Sequence, residues 1–371
     1  MNNLPVAPAA TEYLYRKAAA VGIPLSGTFE LTPLCNMDCK MCYVRLSRQR
    51  QEAMGPLADA QRWLALGRQA REAGMLYLLL TGGEPFLHPQ FRAIMEGLHQ
   101  MGFLISLNTN ATLINEETVQ WLKACPPVRV NVSLYGASDA TYHRLCGNSR
   151  GFAEVKRAIA LLLEAGISVK LNCSLTPHNA ADLPEIADFA RQRGLALQVA
   201  TYMFPPLRKD GALVGKNDRF TPREAAWYMA YADLLTLGKE RFLAQEGKCP
   251  IPELPEEHCL DLGDGVRCRA GRCSFWVSWQ GDLMPCGMFP TEGAPNVFSS
   301  PFVSAWEKVK ENTAAIRLPA ECALCNAKSA CRACAAMVLT ESGCFHKVPQ
   351  YRCEMMQAYP AQWQRVKEEM L

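Results

Sequence analysis

The stretch that decides the fold of this chain is Cys35-Asn-Met-Asp-Cys39-Lys-Met-Cys42-Tyr43. It follows a strand-like run, so its three cysteines lie in a loop at the end of a predicted strand. Such a loop can place all three thiolates on one iron–sulfur cube, and a [4Fe–4S] cube then keeps one iron open for another molecule. A zinc site or buried thiols are the alternatives, but zinc needs a fourth ligand nearby, and the next cysteine along the chain is Cys125. The pattern favours a reactive cluster.

Length and composition are typical of a soluble globular enzyme with one large domain and a smaller one: 371 residues, 49% apolar and 20% charged. No apolar run is long enough to span a bilayer and the N-terminus lacks a secretion signal, so we expect a cytoplasmic protein without a membrane partner. In a reducing compartment, 17 cysteines indicate metal ligation and not disulfides. The formal net charge of +3 predicts no nucleic-acid partner.

Strand-like and helix-like segments alternate over the first half of the chain. The predicted strands are residues 28–32, 75–80, 103–107, 128–134, 167–175 and 195–200. The segments between them carry apolar residues at helical spacing, as in Phe152, Val155, Ile159 and Leu162. Six successive βα units predict an α/β fold, a partial (β/α)6 TIM-like barrel with its chemistry in the loops after the strands.

The second half of the chain changes in composition. Thr221-Pro-Arg-Glu224 has the features of a helix start and predicts a helix to about Gln245. Residues 248–257, rich in proline and glutamate, predict a linker, and the chain is expected to end in a helix. The predicted domains are a lead-in (1–26), the barrel (27–215), a bridging helix and linker (216–257), a small cysteine-rich domain (258–356) and a C-terminal helix (357–371).

A second motif, Gly82-Gly83-Glu84-Pro85, directly follows the second predicted strand. Two glycines let a ligand approach the backbone closely, and the carboxylate of Glu84 can accept hydrogen bonds from an ammonium group. Alone this signal is weak, since Gly-Gly after a strand is usually only a turn. The Gly82–Pro85 motif becomes specific because it lies one βα unit after a three-cysteine loop. With these two motifs together, the chain resembles the radical S-adenosylmethionine (SAM) superfamily.

This resemblance implies that Cys35, Cys39 and Cys42 hold a [4Fe–4S] cluster whose open iron binds the amino and carboxylate groups of SAM. Reduction of the SAM sulfonium would then release a 5′-deoxyadenosyl radical that abstracts a hydrogen atom from the substrate. The family usually has an aromatic residue before the third cysteine, whereas this chain has Met41 there and Tyr43 directly after. The implied SAM-binding residues are Gly82, Gly83, Glu84, Pro85, Asn108, Ser133, Asn172 and Tyr43. Asn110 is as typical of a turn as of a SAM contact.

A second group of cysteines lies near the C-terminus. A predicted hairpin turning at residues 280–282 would bring Cys268 or Cys273 back near Cys286. The paired Cys-x-x-Cys motifs that follow would suit zinc if they stood alone. Beside the radical SAM motifs, the arrangement resembles the SPASM domain, which implies two auxiliary [4Fe–4S] clusters and three clusters in all. The implied ligands are Cys268, Cys286, Cys334 and either Cys273 or Cys259 for the first, and Cys322, Cys325, Cys331 and Cys353 for the second, with Cys344 as a competitor of Cys353.

The SPASM resemblance implies a ribosomally made peptide or protein as substrate, and a thioether or carbon–carbon crosslink or another oxidation as the reaction. Sulfatase-maturing enzymes carry a basic Asp directly after the cysteine aligned with Cys286, and here Gly287 stands there, which disfavours formylglycine formation. A small-molecule dehydrogenase with one auxiliary cluster and a non-catalytic iron–sulfur electron carrier are further alternatives. The implied partners are a flavodoxin- or ferredoxin-type reductant and a separate leader-peptide-binding protein, because the lead-in is too short for a leader-binding domain. No residue is assigned as the catalytic base.

Overall fold

A computed structural model describes residues 9–206, 218–248, 264–327, 331 and 333–371 of the chain. Cys259, the predicted linker beyond Lys248, and the predicted domain boundaries at 215 and 257 lie outside the described residues. The domain division therefore stays a prediction. The secondary structure of the described residues tests the predicted elements one by one.

The described strands form one sheet in the order β6-β5-β4-β3-β2-β1-β7-β8. Its first six strands in sequence are parallel to their neighbours, which confirms the six predicted βα units and the partial barrel. The strands are β1 (Ser26–Glu30), β2 (Tyr77–Thr81), β3 (Leu104–Thr109), β4 (Arg129–Ser133), β5 (Val169–Ser174), β6 (Ala196–Ala200), β7 (Ser274–Val277) and β8 (Leu283–Met284).

Helices cover the outer face of this sheet and continue the chain beyond it. They are α1 (Ala9–Val21), α2 (Arg48–Met54), α3 (Ala60–Glu72), α4 (Phe91–Gln100), α5 (Glu116–Ala124), α6 (Asp139–Cys146), α7 (Gly151–Glu164), α8 (Leu183–Gln192), α9 (Pro222–Leu237), α10 (Lys239–Ala244), α11 (Phe302–Ala314), α12 (Ala320–Leu324), α13 (Ala335–Ser342) and α14 (Gln350–Met370). No helix in the described ranges combines the length and the apolar character needed to cross a membrane.

The two faces of the barrel sheet differ in polarity because side chains alternate along each strand. Leu78, Leu80, Ile105, Leu107, Val130, Val132 and Leu171 point toward the helices and are fully or almost fully buried. The intervening positions are half-buried and largely polar: Thr28, Ser106, Asn108, Asn131, Ser133, Lys170 and Asn172. The helix-facing rows form the main core, so the opposite face is left to line a polar lumen.

The hairpin predicted near residues 280–282 is confirmed, because β7 and β8 pair antiparallel with Val277 opposite Leu283. Its turn contains Gly281 at a φ of 93°, a conformation that favours glycine. The hairpin is not confined to the cysteine-rich region, since β7 also pairs parallel with the free edge of β1. Eight strands therefore share the barrel sheet, and β1 lies in its interior.

Two helix predictions are corrected by the structure. The helix expected from Thr221 to Gln245 starts with the predicted capping box, but it is broken into α9 and α10 at Gly238, whose φ is 82°. The terminal helix starts at Gln350 and includes Cys353, so it is longer than the predicted 357–371. Its apolar face packs on α9, where the hydroxyl of Tyr359 donates to Asp233 Oδ2 at 3.0 Å.

The C-terminal elements are also tied to the end of β6. Arg219 forms an ion pair with Glu341 of α13, and the hydroxyl of Tyr202 donates to Glu341 Oε1 at 2.6 Å. The guanidinium of Arg219 lies 3.9 Å from the centre of the Tyr351 ring in α14. The barrel, α13 and α14 therefore meet at one buried carboxylate.

Candidate functional site

The cysteine loop follows β1 at the carboxyl end of the sheet and is held by the turn after β2. The backbone N–H of Gly83 donates to Thr32 O at 2.7 Å, and that of Glu84 donates to Leu34 O at 2.8 Å. A Cβ atom on Gly82 would lie 2.6 Å from Thr32 O, and one on Gly83 would lie 2.4 Å from Leu34 O. The loop itself therefore requires both glycines, whereas the sequence pattern predicted only the close approach of a ligand. Their contact with SAM stays a prediction.

Glu84 joins the same turn to the end of β3. Its buried carboxylate accepts hydrogen bonds from Thr109 Oγ1 at 2.8 Å, from the N–H of Asn110 at 2.8 Å and from the N–H of Phe86 at 3.3 Å. Burial raises the pKa of Glu84 to about 7, although these three donors act in the opposite direction. A cationic ligand would restore the charged carboxylate, so the geometry is compatible with the predicted ammonium contact. Pro85 follows as the first residue of a short 3-10 helix.

The structure brings Cys35, Cys39 and Cys42 into one small region. Cys35 Sγ accepts from the N–H of Met37 at 3.4 Å, Cys42 Sγ accepts from the N–H of Arg45 at 3.3 Å, and the N–H of Cys42 donates to Cys39 O at 3.0 Å. Burial raises the pKa of Cys35 to about 12, and Glu84 and the other two thiols contribute.

These sulfurs fit an iron–sulfur cluster. Backbone donors already aim at two of them, and a cationic metal core would offset the cost of three neighbouring buried thiolates. In the described part of the chain, no three His, Cys, Asp or Glu side chains converge as ligands of a single ion do. A cube binds each cysteine through a different iron, so its ligands surround a volume.

Asn110 belongs to the support of this loop. Its side-chain Nδ2 donates to Asn36 Oδ1 at 2.9 Å and lies 3.6 Å from Cys35 Sγ, while its Oδ1 accepts from the N–H of Thr112 at 3.0 Å. Ala111 between them has a φ of 62°. Asn110 is thus a turn residue that also contacts the loop. Met41 is buried in the main core, so the aromatic residue of the family pattern is replaced by a packing methionine.

The other predicted SAM-binding residues lie on the lumen face or beside it. Asn108 Oδ1 accepts from Asn131 Nδ2 at 2.8 Å. Ser133 is paired in register with Asn172, whose Oδ1 is buried with no hydrogen-bond partner among the described residues. A buried amide oxygen needs a donor, which supports the predicted SAM contact of Asn172. Tyr43 lies next to Gly287 in a small cleft, away from this strand pair.

The lumen contains a cavity of about 390 Å³. Thr28, Ser106, Arg129 and Asn131 line it from the barrel, and Trp276 and Cys286 line it from β7 and the segment after β8. Its volume is within the usual range of a small-molecule or side-chain pocket. The cavity lies at the amino-terminal ends of these strands, away from the cysteine loop, and reaches a cysteine predicted to bind the first auxiliary cluster.

The predicted ligands of the second auxiliary cluster lie close together. Burial raises the pKa of Cys353 to about 11, and the thiols of Cys322, Cys331 and Cys325 add to this effect. The pKa of Cys322 is raised in the same way, first by burial and then by Cys331 and Cys325. Four thiols from two elements and a connecting loop thus share one region, which suits a cluster with four cysteine ligands.

The first auxiliary set is less uniform. Burial and the neighbouring Cys334 raise the pKa of Cys268, and Cys286 and Cys334 contact the same small apolar cluster. Cys273 is fully buried in a different cluster, with Ala18 and Leu25. Burial also raises the pKa of Cys273 to about 11, with Arg269 and Arg272 acting in the opposite direction and Cys268 adding to the rise, so Cys273 lies near the predicted ligand Cys268. The fourth ligand stays a prediction between Cys273 and Cys259.

Sequence reasoning missed Glu30 and Trp276. Trp276 Nε1 donates to Glu30 Oε2 at 2.9 Å, and the indole fills the space beside Gly287. The sequence feature that could have identified Glu30 is a carboxylate at a lumen-facing position of a short strand, because burying a carboxylate costs free energy. No local pattern marked Trp276.

Comparisons with known proteins agree with this geometry. Residues 29–190 match the Radical SAM superfamily. The subtilosin biosynthesis protein AlbA of Bacillus subtilis is 27% identical over 284 residues, which are 76% of this chain but only 59% of AlbA. A probable GTP 3′,8-cyclase of Methanococcus maripaludis is 30% identical over 270 residues, 69% of this chain and 82% of the cyclase. An AdoMet-dependent heme synthase of Methanosarcina barkeri is 24% identical over 345 residues, 88% of this chain and 95% of the synthase.

Two solved structures share the fold. SuiB of Streptococcus suis, bound to its precursor peptide SuiA, has a TM-score of 0.67 and 19% identity, over 95% of this chain and 83% of SuiB. The protein anSMEcpe with bound AdoMet has a TM-score of 0.68 and 19% identity, over 94% of this chain and 100% of anSMEcpe. At these identities the likeness concerns the fold alone.

Proposed function

Because this chain belongs to the radical SAM superfamily and is an enzyme of SAM-dependent radical chemistry, we propose that it modifies a ribosomally made peptide. The modification is a thioether or carbon–carbon crosslink, or another oxidation at an unactivated carbon. When bound, the reduced cluster and SAM supply the 5′-deoxyadenosyl radical that abstracts the substrate hydrogen. The residues that would hold them are the three loop cysteines and the Gly82–Pro85 turn.

The observation that carries this proposal is the position of Cys286 on the wall of the polar lumen. A cluster bound at Cys286 would accept an electron from the substrate radical, as an oxidative modification requires. AlbA, a bacteriocin biosynthesis protein, and SuiB, solved with a precursor peptide, support a peptide substrate. We also propose three clusters, a flavodoxin- or ferredoxin-type reductant and a separate leader-binding protein.

Formylglycine formation is disfavoured by packing as well as by sequence. Gly287 occupies the position of the Asp that acts as base, and a Cβ there would lie 2.8 Å from the Trp276 ring. An aspartate would therefore need a different position of the indole.

A small-molecule substrate is the second candidate, because the heme synthase match spans nearly the whole length of both chains. The cavity of about 390 Å³ does not by its size set the substrate. The two candidate functions differ in substrate and share the radical step, so the experiment must offer the enzyme both a peptide and a small-molecule substrate.

The test is co-expression of the enzyme with each small open reading frame beside its gene, followed by mass spectrometry of the peptide products. The expected result is loss of a hydrogen pair from one peptide, absent with a Cys35→Ala/Cys39→Ala/Cys42→Ala control. If no neighbouring peptide changes mass while the reduced enzyme cleaves SAM and acts on a porphyrin precursor, the peptide proposal is wrong. Iron analysis supports three clusters at about 12 irons per chain and contradicts them at about 8.

A further inference from the structure

The cavity at the amino ends of the barrel strands has one charged side chain among its described lining residues, Arg129 of β4. Arg129 is half-buried and its Nε is fully buried. No described residue accepts a hydrogen bond from its guanidinium or forms an ion pair with it. Burying a polar cation without a partner costs free energy. This guanidinium is therefore suited to an anion from outside the chain.

The surroundings of Arg129 add positive charge. Lys170 of β5 lies on the same lumen face, since it is paired in register with Asn131, two residues after Arg129. Burial lowers the pKa of Lys170, and Arg129 adds to this effect. The Lys170 ammonium donates to Gln198, an uncharged amide. Glu30 lies at the opposite end of β1, outside the cavity lining. The amino end of the lumen therefore favours an anionic ligand.

Asn131 adds an acceptor on the same wall. Its Nδ2 donates to Asn108 Oδ1 at 2.8 Å, while its own Oδ1 is buried with no donor among the described residues. A buried amide oxygen needs an N–H or O–H partner. Arg129 and Asn131 point to the same face of β4, about 7 Å apart along the strand. This wall thus offers a site for an anion and, one step toward the carboxyl end, a site for a donor.

We propose that Arg129 and Asn131 form a carboxylate subsite, in which Arg129 binds the carboxylate of a ligand and Asn131 accepts an N–H hydrogen bond from the same ligand. A guanidinium fork matches a carboxylate, and one guanidinium balances one negative charge, which favours a carboxylate over a phosphate dianion. An acidic residue of a peptide carries both groups. This source of the carboxylate rests on the proposed function, and the C-terminus of a peptide has the same chemistry.

The subsite is distant from the radical end of the barrel. Arg129 lies four residues before Ser133 on β4, about 13 Å along the strand, whereas the cysteine loop follows the carboxyl end of β1. A carboxylate bound at Arg129 is therefore an anchor and not the reacting group. Arg129 would set which part of the substrate reaches the radical, so it acts as a specificity residue.

The first test measures binding of two small probes to the full-length protein by ligand-observed NMR. N-acetyl-L-glutamic acid α-amide carries the carboxylate, and N-acetyl-L-glutamine α-amide is its neutral isostere. The wild type should bind the acid at least about tenfold more tightly than the amide. Arg129→Met should remove this preference and Arg129→Lys should restore part of it. Arg62→Gln, which removes an exposed guanidinium from α3, is the matched control and should change nothing. Tighter binding of N-acetylglycine than of the glutamate probe would assign the carboxylate to a C-terminus.

Equal binding of acid and amide by the wild type would overturn the proposal, and so would an unchanged preference in Arg129→Met. Urea denaturation provides a second readout. Arg129→Met should be at least as stable as the wild type, because no partner within the chain is lost, and a clear loss of stability would show that the guanidinium serves the fold.

The peptide source is tested separately. In a peptide that the co-expressed enzyme modifies, replacing the anchoring acidic residue by its amide should lower modification at least about tenfold. If no peptide is modified but the probe preference holds, the proposed function fails and the subsite stands. If every acidic residue and the C-terminal carboxylate can be neutralised without effect, the peptide is not the source of the carboxylate.

Discussion

Trp276 donates a hydrogen bond of 2.9 Å from its Nε1 to Oε2 of Glu30, between two neighbouring strands of the barrel sheet. Glu30 ends β1 and is only 1% exposed. The same indole lies against Gly287 and lines the lumen beside Cys286. One side-chain pair thus fixes the wall between the barrel and the cysteine-rich segment.

Replacing Trp276 by phenylalanine should destabilise the fold, because a buried carboxylate loses a donor. We expect a cost of about 1–3 kcal/mol in the free energy of unfolding. The cost should shrink in a Glu30→Met background, where no carboxylate is left. A double-mutant cycle by urea denaturation measures this coupling. Additive effects of the two substitutions would show that the hydrogen bond contributes nothing.

Gly287→Ala should also destabilise the protein, because the new methyl group would overlap the Trp276 ring. Overpacking of this kind costs about 1–3 kcal/mol. The matched test is Gly287→Ala in a Trp276→Ala background, where space is available and the penalty should vanish. If the penalty persists without the indole, the ring is not the reason for the glycine.

Gly83→Ala should release the cysteine loop, since its methyl group would meet the backbone of Leu34. The expected result is selective loss of the SAM-binding cluster, about 4 of about 12 irons, with loss of SAM cleavage. Gly293→Ala is the control, because that residue has a φ of 73° but nothing within contact distance of its Cβ position. Iron analysis and SAM-cleavage assays of both variants check the prediction; equal iron in the two would contradict it.

Asp233 should make stability depend on pH. Burial raises its pKa from 3.8 to about 7, although the Tyr359 hydroxyl acts in the opposite direction. Between these two values the folded chain binds a proton that the unfolded chain has lost, so the contribution of Asp233 to stability is fully present below about pH 3.8 and is lost as pH rises through about 7. Asp233→Asn should flatten this dependence in urea denaturation. Glu84 titrates over the same range, so part of the slope should remain.

The six barrel strands could be predicted from the sequence, but their ends could not. The first strand was expected at residues 28–32 and is found at Ser26–Glu30. Ser26 and Gly27 are weak strand formers that pair here because β2 and β7 lie on either side of them. Leu31 and Thr32 have strand-like side chains, yet they lie beyond the end of β1, where the N–H of Leu31 donates to Thr81 O and Thr32 O accepts from the N–H of Gly83 in the turn after β2. The neighbouring strands that pair with a strand decide where it ends, and the intrinsic strand preference of its residues does not.

The candidate site shows the same division. Spacing alone identified Cys35, Cys39 and Cys42, because three ligands in one short loop are a local property of the chain. Gly82 and Gly83 were predicted to let a ligand approach the backbone. That reason is incomplete, because the atoms nearest to their Cβ positions belong to the backbone of the cysteine loop. Asn110 could not be assigned, because a turn residue and a ligand contact look alike in sequence.

The sequence by itself determined the parts of this protein that depend on neighbours along the chain: the alternation of strands and helices, the three-cysteine loop and the Gly82–Pro85 turn. Only the tertiary structure decided which distant residues meet them. The cysteine loop meets the end of α6 through the N–H groups of Asp38 and Lys40, and Trp276 reaches Glu30 because β7 joins the edge of β1. Such contacts depend on how separate elements pack and in which register they pair, and no local pattern of residues specifies either.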